Sequence, residues 1–326
     1  MRELAKALHA DLAVQSRGHR DGVAPSEVVI PAKRELIASQ PTLLDYFASR
    51  FPGIPRSEWE HRFASGDVWI APHKQAKPTQ ARAIRGDELT AAHAGTRLCY
   101  YRSQVSEAAT PESERVLFED ERILVADKPH GMPVVPSGRY VRETLLARLR
   151  VRTALAELTP AHRIDRDTAG LVLFVKHACD RSAYQSLFRD RQVTKVYEAI
   201  APFRSAFAAP FCYRSRLADG AHFMQMQTVD GEPNAETEIS MIRPLADGWA
   251  LYQLKPSTGR RHQLRAQLAH LGIPIQNDAI YPALLAEEFD QNRAPLKLLA
   301  KCLAFVDPLD YTAREFQSTR ELNTDQ

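Results

Sequence analysis

The 326-residue chain reads as an α+β protein built on a mixed, largely antiparallel sheet with flanking helices, preceded by a small module of short helices and strands. Segments 211–228 and 236–255 alternate apolar with polar residues and are punctuated by Asp230-Gly231 and Asp247-Gly248, the turn dipeptides of antiparallel hairpins. Residues 171–175, Leu-Val-Leu-Phe-Val, form an unbroken apolar run of the length expected for a strand covered on both faces. Between such runs, apolar residues recur at helical spacing, as at Ala183, Tyr184, Leu187 and Phe188.

Taken in order, residues 1–40 carry Arg17, His19, Arg20, Lys33 and Arg34 among Gly and Pro, and read as a partly ordered basic extension. The small module spans 41–103. Leu43, Leu44, Phe47 and Phe51 make one helical stripe, and Pro55-Arg56-Ser57 opens a second containing Trp59 and Phe63. Gly66-Asp67 turns the chain into the strand-like Val68-Trp69-Ile70, and Gly86-Asp87 precedes a second strand at 97–101. Arg50, Arg56, Arg62, Lys74, Lys77, Arg82 and Arg85 give it a basic face, able to follow a phosphate backbone or simply solvated. Polar residues 104–114, with Pro111, read as a linker.

The large domain is expected over 115–318, with 319–326 as a tail. It opens with strand-like runs at 116–118 and 123–126, which Lys128-Pro129-His130-Gly131-Met132-Pro133 terminates because proline removes ladder donors. A short helix is expected at 142–149. After the 171–175 strand and the 183–188 helix, residues 193–200 alternate so that Lys195, Tyr197 and Ala199 share a face. Thr258-Gly259-Arg260 breaks the strand ending at 255. Leu264, Leu268 and Leu271 then line a helix that stops before Gly272, with Arg261 and Arg265 four apart on it.

A net charge of +3 permits nucleic acid as a partner without demanding it. Cys99, Cys179, Cys212 and Cys302 are scattered without C-x-x-C spacing, which argues against a zinc site and a disulfide framework and predicts reduced, buried thiols. No apolar run approaches membrane-span length and the N-terminus lacks a signal peptide's apolar core, so the expectation is a cytoplasmic chain with no membrane association.

The densest chemistry lies between Pro160 and the buried strand. In Ala161-His162-Arg163-Ile164-Asp165-Arg166-Asp167-Thr168-Ala169-Gly170, five ionisable residues occupy six positions. Charge against the mouth of a core strand is costly unless paired, so this is either a catalytic loop or a solvated turn. The order of its residues resembles the active-site segment of the RluA-type pseudouridine synthases. Asp127-Lys128-Pro129-His130-Gly131 before it, and Lys195-Val196-Tyr197-Glu198-Ala199 and Thr258-Gly259-Arg260-Arg261-His262-Gln263-Leu264-Arg265 after it, extend the resemblance over about 115–310. The small module resembles, more loosely, the RNA-binding module typified by ribosomal small-subunit protein four.

The resemblance implies an RNA-modifying isomerase with a central cleft, acting on ribosomal RNA or tRNA without cofactor or metal, as a monomer. It implies Asp165 as the group acting on the ribose, Tyr197 as the active-site tyrosine and Arg265 as the partner keeping a covered carboxylate ionised. Arg163 is placed to stack where the base has left the helix. His162, Arg166, Lys128, Arg56 and Arg62 join it as candidate RNA contacts. The chain departs from the family pattern at Ala266-Gln267, at Gln276-Asn277 within Pro274-Ile275-Gln276-Asn277-Asp278, and at Asp307; these positions are expected on the rim of the cleft. Two rival readings stay open: His162 and Asp165 as metal ligands of a hydrolase, and an RNA-binding or ribosome-assembly factor that has lost turnover.

Overall fold

The computed structural model describes residues 19–31, 42–71, 82–84, 86, 95–102, 107, 110, 112–138, 140–285 and 293–323. The chain divides into two compact units, Met1–Glu107 and Ala108–Gln326.

In the first unit, β1 (Ser26–Val29), α1 (Leu43–Arg50), α2 (Arg56–Ala64), β2 (Val68–Ile70), β3 (Arg82–Ala83) and β4 (Arg97–Tyr100) build a sheet of order β1-β4-β2-β3 under two helices. Thr42 starts α1 with a capping box: its hydroxyl accepts the Asp45 N–H at 3.0 Å, and the Asp45 carboxylate accepts the Thr42 N–H at 3.1 Å. Phe47 sits at the centre of the core, its ring 4.7 Å from Trp59 and 5.4 Å from Phe63. Because β1 pairs with β4, part of the expected extension belongs to this unit. One expected RNA contact, Arg62, is corrected here. Arg62 is buried, with its guanidinium 4.5 Å above the Trp59 ring and its Nε on Glu58; the apolar stem and flat head serve packing. Arg56 is exposed but paired with Asp45 at 2.6 Å and Glu60 at 3.4 Å. Arg17, Lys33, Arg34, Lys74, Lys77, Arg85 and the side chain of Arg82 lie outside the described residues.

The second unit contains β5 (Arg115–Glu119), β6 (Ile123–Lys128), α3 (Leu145–Thr153), β7 (Thr159–Pro160), β8 (Ala169–Val175), α4 (Arg181–Arg189), β9 (Thr194–Pro202), β10 (Phe211–Asp219), β11 (Met226–Val229), β12 (Ala235–Pro244), β13 (Trp249–Pro256), α5 (Gln263–His270), β14 (Leu298–Val306) and β15 (Ala313–Gln317). Its eleven strands form one sheet of order β11-β10-β12-β13-β9-β14-β8-β6-β5, with β15 on β14 and β7 on β8. The β8–β14 pair is parallel and every other pair antiparallel, as the predicted mixed sheet requires. Every residue of β6 and β8 is buried, because α3 packs on one face of the pair and α4 on the other.

Several local expectations shift. The helix expected at 142–149 starts later, because the Thr144 hydroxyl accepts the Ala147 N–H. The segment 211–228 is a hairpin that turns after Asp219-Gly220, where Gly220 N–H meets the Gln225 carbonyl. Arg261 precedes α5 instead of sharing a face with Arg265; it is exposed and pairs with Asp219 at 3.1 Å. The expected tail is packed as far as residue 323: the Ser318 hydroxyl and Thr319 N–H donate to Asp127 at 2.8 and 2.9 Å, and Leu322 joins a core cluster with Ala169 and Leu299. At the presumed linker's end, Glu114 is buried against Arg148 and Arg152. All four cysteines are free, but only Cys99 is buried; Cys179 and Cys212 are exposed, since each lies where its element meets solvent.

Gly170, closing the charged loop, has φ +110°, and a Cβ there would lie 2.2 Å from the Ala300 carbonyl oxygen of β14. The parallel pairing of β8 with β14 thus depends on a residue without a side chain. Gly170→Ala combines backbone strain with a clash against backbone that cannot retreat, and is expected to destabilise the fold by roughly 3 kcal/mol or more. Gly131→Ala, at φ +75° with nothing within 4 Å, should cost only about 1 kcal/mol. Denaturant unfolding of the two variants measures the difference, and equal costs would contradict the close approach.

Candidate active site

A cleft of about 760 Å³ opens on the second unit, lined among others by Asp165, Arg166, Lys195, Tyr197, His262 and Arg265. Its volume falls within the range of roughly 300–1,000 Å³ usual for ligand sites. The charged loop supplies one wall, β9 the floor, and the N-terminal end of α5 the opposite wall. Three motifs spread over a hundred residues of sequence therefore converge on one cavity.

Arg265 is the centre of the charge network. Its side chain is 2% exposed and lies 3.3 Å through one Nη from Asp165 Oδ2, as expected. Its stronger partner, which sequence reasoning missed, is Asp278. That carboxylate takes Nε at 2.8 Å and the other Nη at 2.7 Å, and also accepts the backbone N–H groups of Ile280 and Tyr281. Burial opposes the charge on Arg265, but Asp278 and Asp165 hold its pKa above its ordinary value. Asp165 keeps 28% of its side chain exposed to the cleft, and its second oxygen, Oδ1, stands 3.9 Å from His262 Nε2. The only clue to Asp278 was its place after Pro274-Ile275-Gln276-Asn277, a stretch noted for departing from a pattern and not for its carboxylate.

Tyr197 projects from β9 into the cleft beside Lys195. Burial, reinforced by the Asp165 carboxylate, pushes the Tyr197 hydroxyl above its ordinary pKa, so it is a protonated phenol at neutral pH. Burial also pulls Lys195 down to about 8, and its ammonium donates to the Thr258 carbonyl at 2.9 Å. Arg163 is exposed on the cleft wall with no hydrogen-bond or ion-pair partner among the described residues.

Residues 122–270 match the family described as RNA pseudouridylate synthase. The tRNA pseudouridine synthase C of Vibrio vulnificus is 30% identical over 221 residues, which cover 61% of this chain and 87% of that protein. The chain belongs to the RNA pseudouridylate synthase family. An uncharacterised RNA pseudouridine synthase of Synechocystis is 27% identical over 245 residues, covering 73% of this chain and 79% of that one. The mitochondrial tRNA pseudouridine(32) synthase of Saccharomyces cerevisiae is 32% identical over 249 residues, and this chain spans only 50% of its length. The structure of human RNA pseudouridylate synthase domain containing 1 superposes with a TM-score of 0.54 at 21% identity, covering 66% of this chain and 86% of that one; it supports the fold. The reaction is accordingly the family's, the isomerisation of uridine in RNA.

Within this pseudouridylate synthase fold, one expected RNA contact, Lys128, lies under the cleft and not on it. Lys128 is fully buried, and its ammonium donates to the carbonyls of Pro129, Met132 and Arg166 at 2.9, 2.7 and 2.8 Å. Burial drives its pKa down to about 7 against the pull of Asp167 and Asp165. It binds its own loop, where a phosphate cannot reach it. His162 lines the cleft half-buried, but its ring is already engaged: Nε2 accepts the Leu173 N–H at 3.1 Å, the ring stacks on Phe188 at 4.4 Å, and burial lowers its pKa to about 3, so it is neutral. Arg166 stays at the cleft edge, tied to Asp167 at 2.9 Å and to the Tyr140 hydroxyl at 3.3 Å. The His130 ring bonds the Asp167 carbonyl at 2.7 Å, a second tether that sequence reasoning did not single out.

The departures from the family pattern are not on the rim either. Ala266 packs into a core cluster, while Gln267 accepts from Thr237 and donates to Ser215. Asn277, at φ +63°, bonds the Pro295 carbonyl, and Asp307 is buried under the Tyr184 hydroxyl at 2.8 Å, capping the turn before β15. Each solves a packing or turn problem, and none lines the cleft. Among the described residues no group of three or more His, Cys, Asp or Glu side chains gathers as a metal site, and no helix is long and apolar enough to cross a membrane.

Lys128→Met would leave three carbonyls without their donor. At roughly 1–3 kcal/mol for each stranded buried acceptor, the expected cost is about 3 kcal/mol or more, with turnover falling as the 161–170 loop loosens. Urea unfolding together with a turnover assay checks this. A loss under about 1 kcal/mol would mean that the carbonyls find other partners.

Proposed function

We propose that this chain converts particular uridines of structured RNA to pseudouridine through Asp165, without a cofactor, as a cytoplasmic monomer. The observation that carries the reading is the pairing of a cleft-facing carboxylate, Asp165, with a buried guanidinium that a second carboxylate already fixes in place. Ribosomal RNA and tRNA are both structured substrates. Two relatives named for their RNA, those of Vibrio and yeast, act on tRNA, which favours tRNA. Four unbridged thiols suit a reducing compartment.

Isomerisation breaks the bond from ribose to the uracil nitrogen, turns the base and rejoins it through carbon five. The target nucleotide has to leave the helix, at a cost of a few kcal/mol, and the exposed guanidinium of Arg163 is free to stack where it stood. Asp165 acts on the ribose, either as nucleophile at the anomeric carbon or as base for elimination to a glycal. Arg265 keeps the carboxylate ionised once the base covers it. The raised pKa of Tyr197 makes the phenol a proton carrier, able to give or pass a proton beside the ring, more than a ready base at neutral pH.

Asp165→Asn is expected to keep the fold and RNA affinity and to abolish product, measured as pseudouridine formed in bulk tRNA and ribosomal RNA. Turnover within about tenfold of wild type, a barrier change under roughly 1.4 kcal/mol, would refute the assignment. Tyr197→Phe removes only a hydroxyl. It should stop product formation while RNA binding persists, and a normal yield would make Tyr197 a packing residue of β9.

A further inference from the structure

We propose that His262 is a positioning residue for Asp165: in the reacting complex its Nε2–H donates to Asp165 Oδ1, the oxygen that Arg265 leaves free. The inference rests on the assignment of Asp165 as the group acting on the ribose.

Three observations on different elements carry it. His262 adopts φ +50°, ψ 23°, a left-handed conformation, immediately before α5. A residue with a Cβ is strained there, and such strain in a cleft wall is a mark of a site that needs a particular side chain. The conformation turns the ring toward the charged loop, with Nε2 3.9 Å from Asp165 Oδ1. Meanwhile Arg265 holds Oδ2, so the two oxygens of Asp165 face two different donors.

The second observation bears on the tautomer. The Tyr281 hydroxyl oxygen accepts the Met226 N–H at 2.7 Å and lies 3.3 Å from His262 Nδ1. As part of the proposal, the phenol's own proton is assigned to Nδ1. The imidazole proton then sits on Nε2, aimed at Asp165. The ring edge against Tyr281, at 5.9 Å and 84°, keeps this orientation. The third is burial: it lowers the pKa of His262 despite the Asp165 carboxylate, with Arg265 and Arg261 adding to the lowering and Asp278 opposing it. The ring is therefore neutral at pH 7, a donor without a second charge.

The groups around Asp165 divide the work. Arg265, on α5, is anchored by Asp278 and stays put. Tyr197, on β9, carries no charge. Lys128 lies beneath the loop, bound to carbonyls, and Asp167 is neutralised by Arg166 and Arg293. His262 is the donor with slack, since closing from 3.9 Å to about 2.9 Å makes a normal hydrogen bond. Loading the cleft with RNA supplies that closure, and both oxygens of Asp165 are then held ionised.

The test compares His262→Phe, His262→Gln and Tyr281→Phe with wild type on bulk tRNA, reading kcat, KM and the pH dependence of kcat. His262→Phe should lower kcat about tenfold or more, roughly 1.4 kcal/mol of barrier per factor of ten, with KM within about twofold. Because the lost donor favoured the ionised carboxylate, the acidic limb of the profile should move upward. His262→Gln restores an amide donor at similar reach and should recover most of both effects. Tyr281→Phe frees the tautomer and should move the limb in the same direction by less. His262→Gly relieves the left-handed strain while removing the ring, so a variant lost to misfolding does not decide the matter. His262→Phe and His262→Gly with wild-type kcat and an unmoved limb, while Asp165→Asn is dead, would overturn the inference and leave Asp165 standing. An active Asp165→Asn would instead bring down the assignment beneath it.

Discussion

A guanidinium shared between two carboxylates holds the cleft together. Arg265 is buried, and a buried cation needs a counter-charge of suitable shape. Were Asp165 its only partner, the cation would be held by the group it has to serve, and any movement of Asp165 would move both. Asp278 removes that dependence by taking Nε and one Nη in parallel geometry, with its own oxygens further satisfied by two backbone N–H groups. What is left over, one Nη at 3.3 Å from Asp165, is a donor whose position owes nothing to the state of the carboxylate it faces. Asp165 in turn keeps a share of solvent and a free oxygen, which a reacting group needs.

The same separation of anchor from working group recurs across the cleft. The loop that carries Asp165 is not held by Asp165. Lys128 grips the Arg166 carbonyl, the His130 ring grips the Asp167 carbonyl, and Arg293 reaches Asp167 at 3.4 Å. Beyond the loop, Gly170 lets β8 lie against β14. Beneath it, Asp127 is tied to Ser318 and Thr319 nearly two hundred residues further on. Of the charges in this loop, expected to form either a catalytic loop or a solvated turn, Arg166 and Asp167 are tied into the protein, and Arg163 is left open to the cleft.

Legibility in the sequence followed the range of the interaction involved. Period and punctuation are local, so the strand 171–175, the helix at 183–188 and the Asp247-Gly248 hairpin could be read directly, whereas Asp230-Gly231 proves to join β11 and β12 across β10 and closes no hairpin. The motifs also placed Asp165, Tyr197 and Arg265 around one cavity. The fate of a charged side chain is different, because it depends on what the rest of the chain brings to it. Arg62 lies over Trp59, Lys128 is surrounded by carbonyls, and Asp278 clamps Arg265. The first is local, since Trp59 and Glu58 lie three and four residues before Arg62 on one helix, but the Arg166 carbonyl on Lys128 and the Asp278 clamp on Arg265 do not follow from sequence neighbours. The Asp219-Gly220 turn was local and could have been seen, but the alternation on both sides of it masked the break. The thiols of Cys179 and Cys212 were expected inside because free cysteine behaves as a small apolar residue, and the elements carrying them happen to face solvent.

Helix α5 shows how one short element can satisfy both demands. Gln263 and Gln267 lie four apart and share a face. The first bonds Thr237, Thr258 and the Glu236 carbonyl; the second bonds Thr237 and Ser215. That face is stitched to β10 and β12 by neutral hydrogen bonds. Two residues along, about 200° around the axis, Arg265 points the other way, toward Asp278 and Asp165. Residues 263–268 are therefore all buried and only Ala269 and His270 reach solvent, so the helix has no continuous solvent face for an apolar stripe to oppose. A weak stripe of leucines was all the sequence could show of it. Such a helix is stable only because each polar group on it is matched, and that matching sets the position of the guanidinium more narrowly than apolar packing alone could. The glutamine at 267, a departure from the family pattern, belongs to this matching, since it makes two directed bonds on the side away from the chemistry.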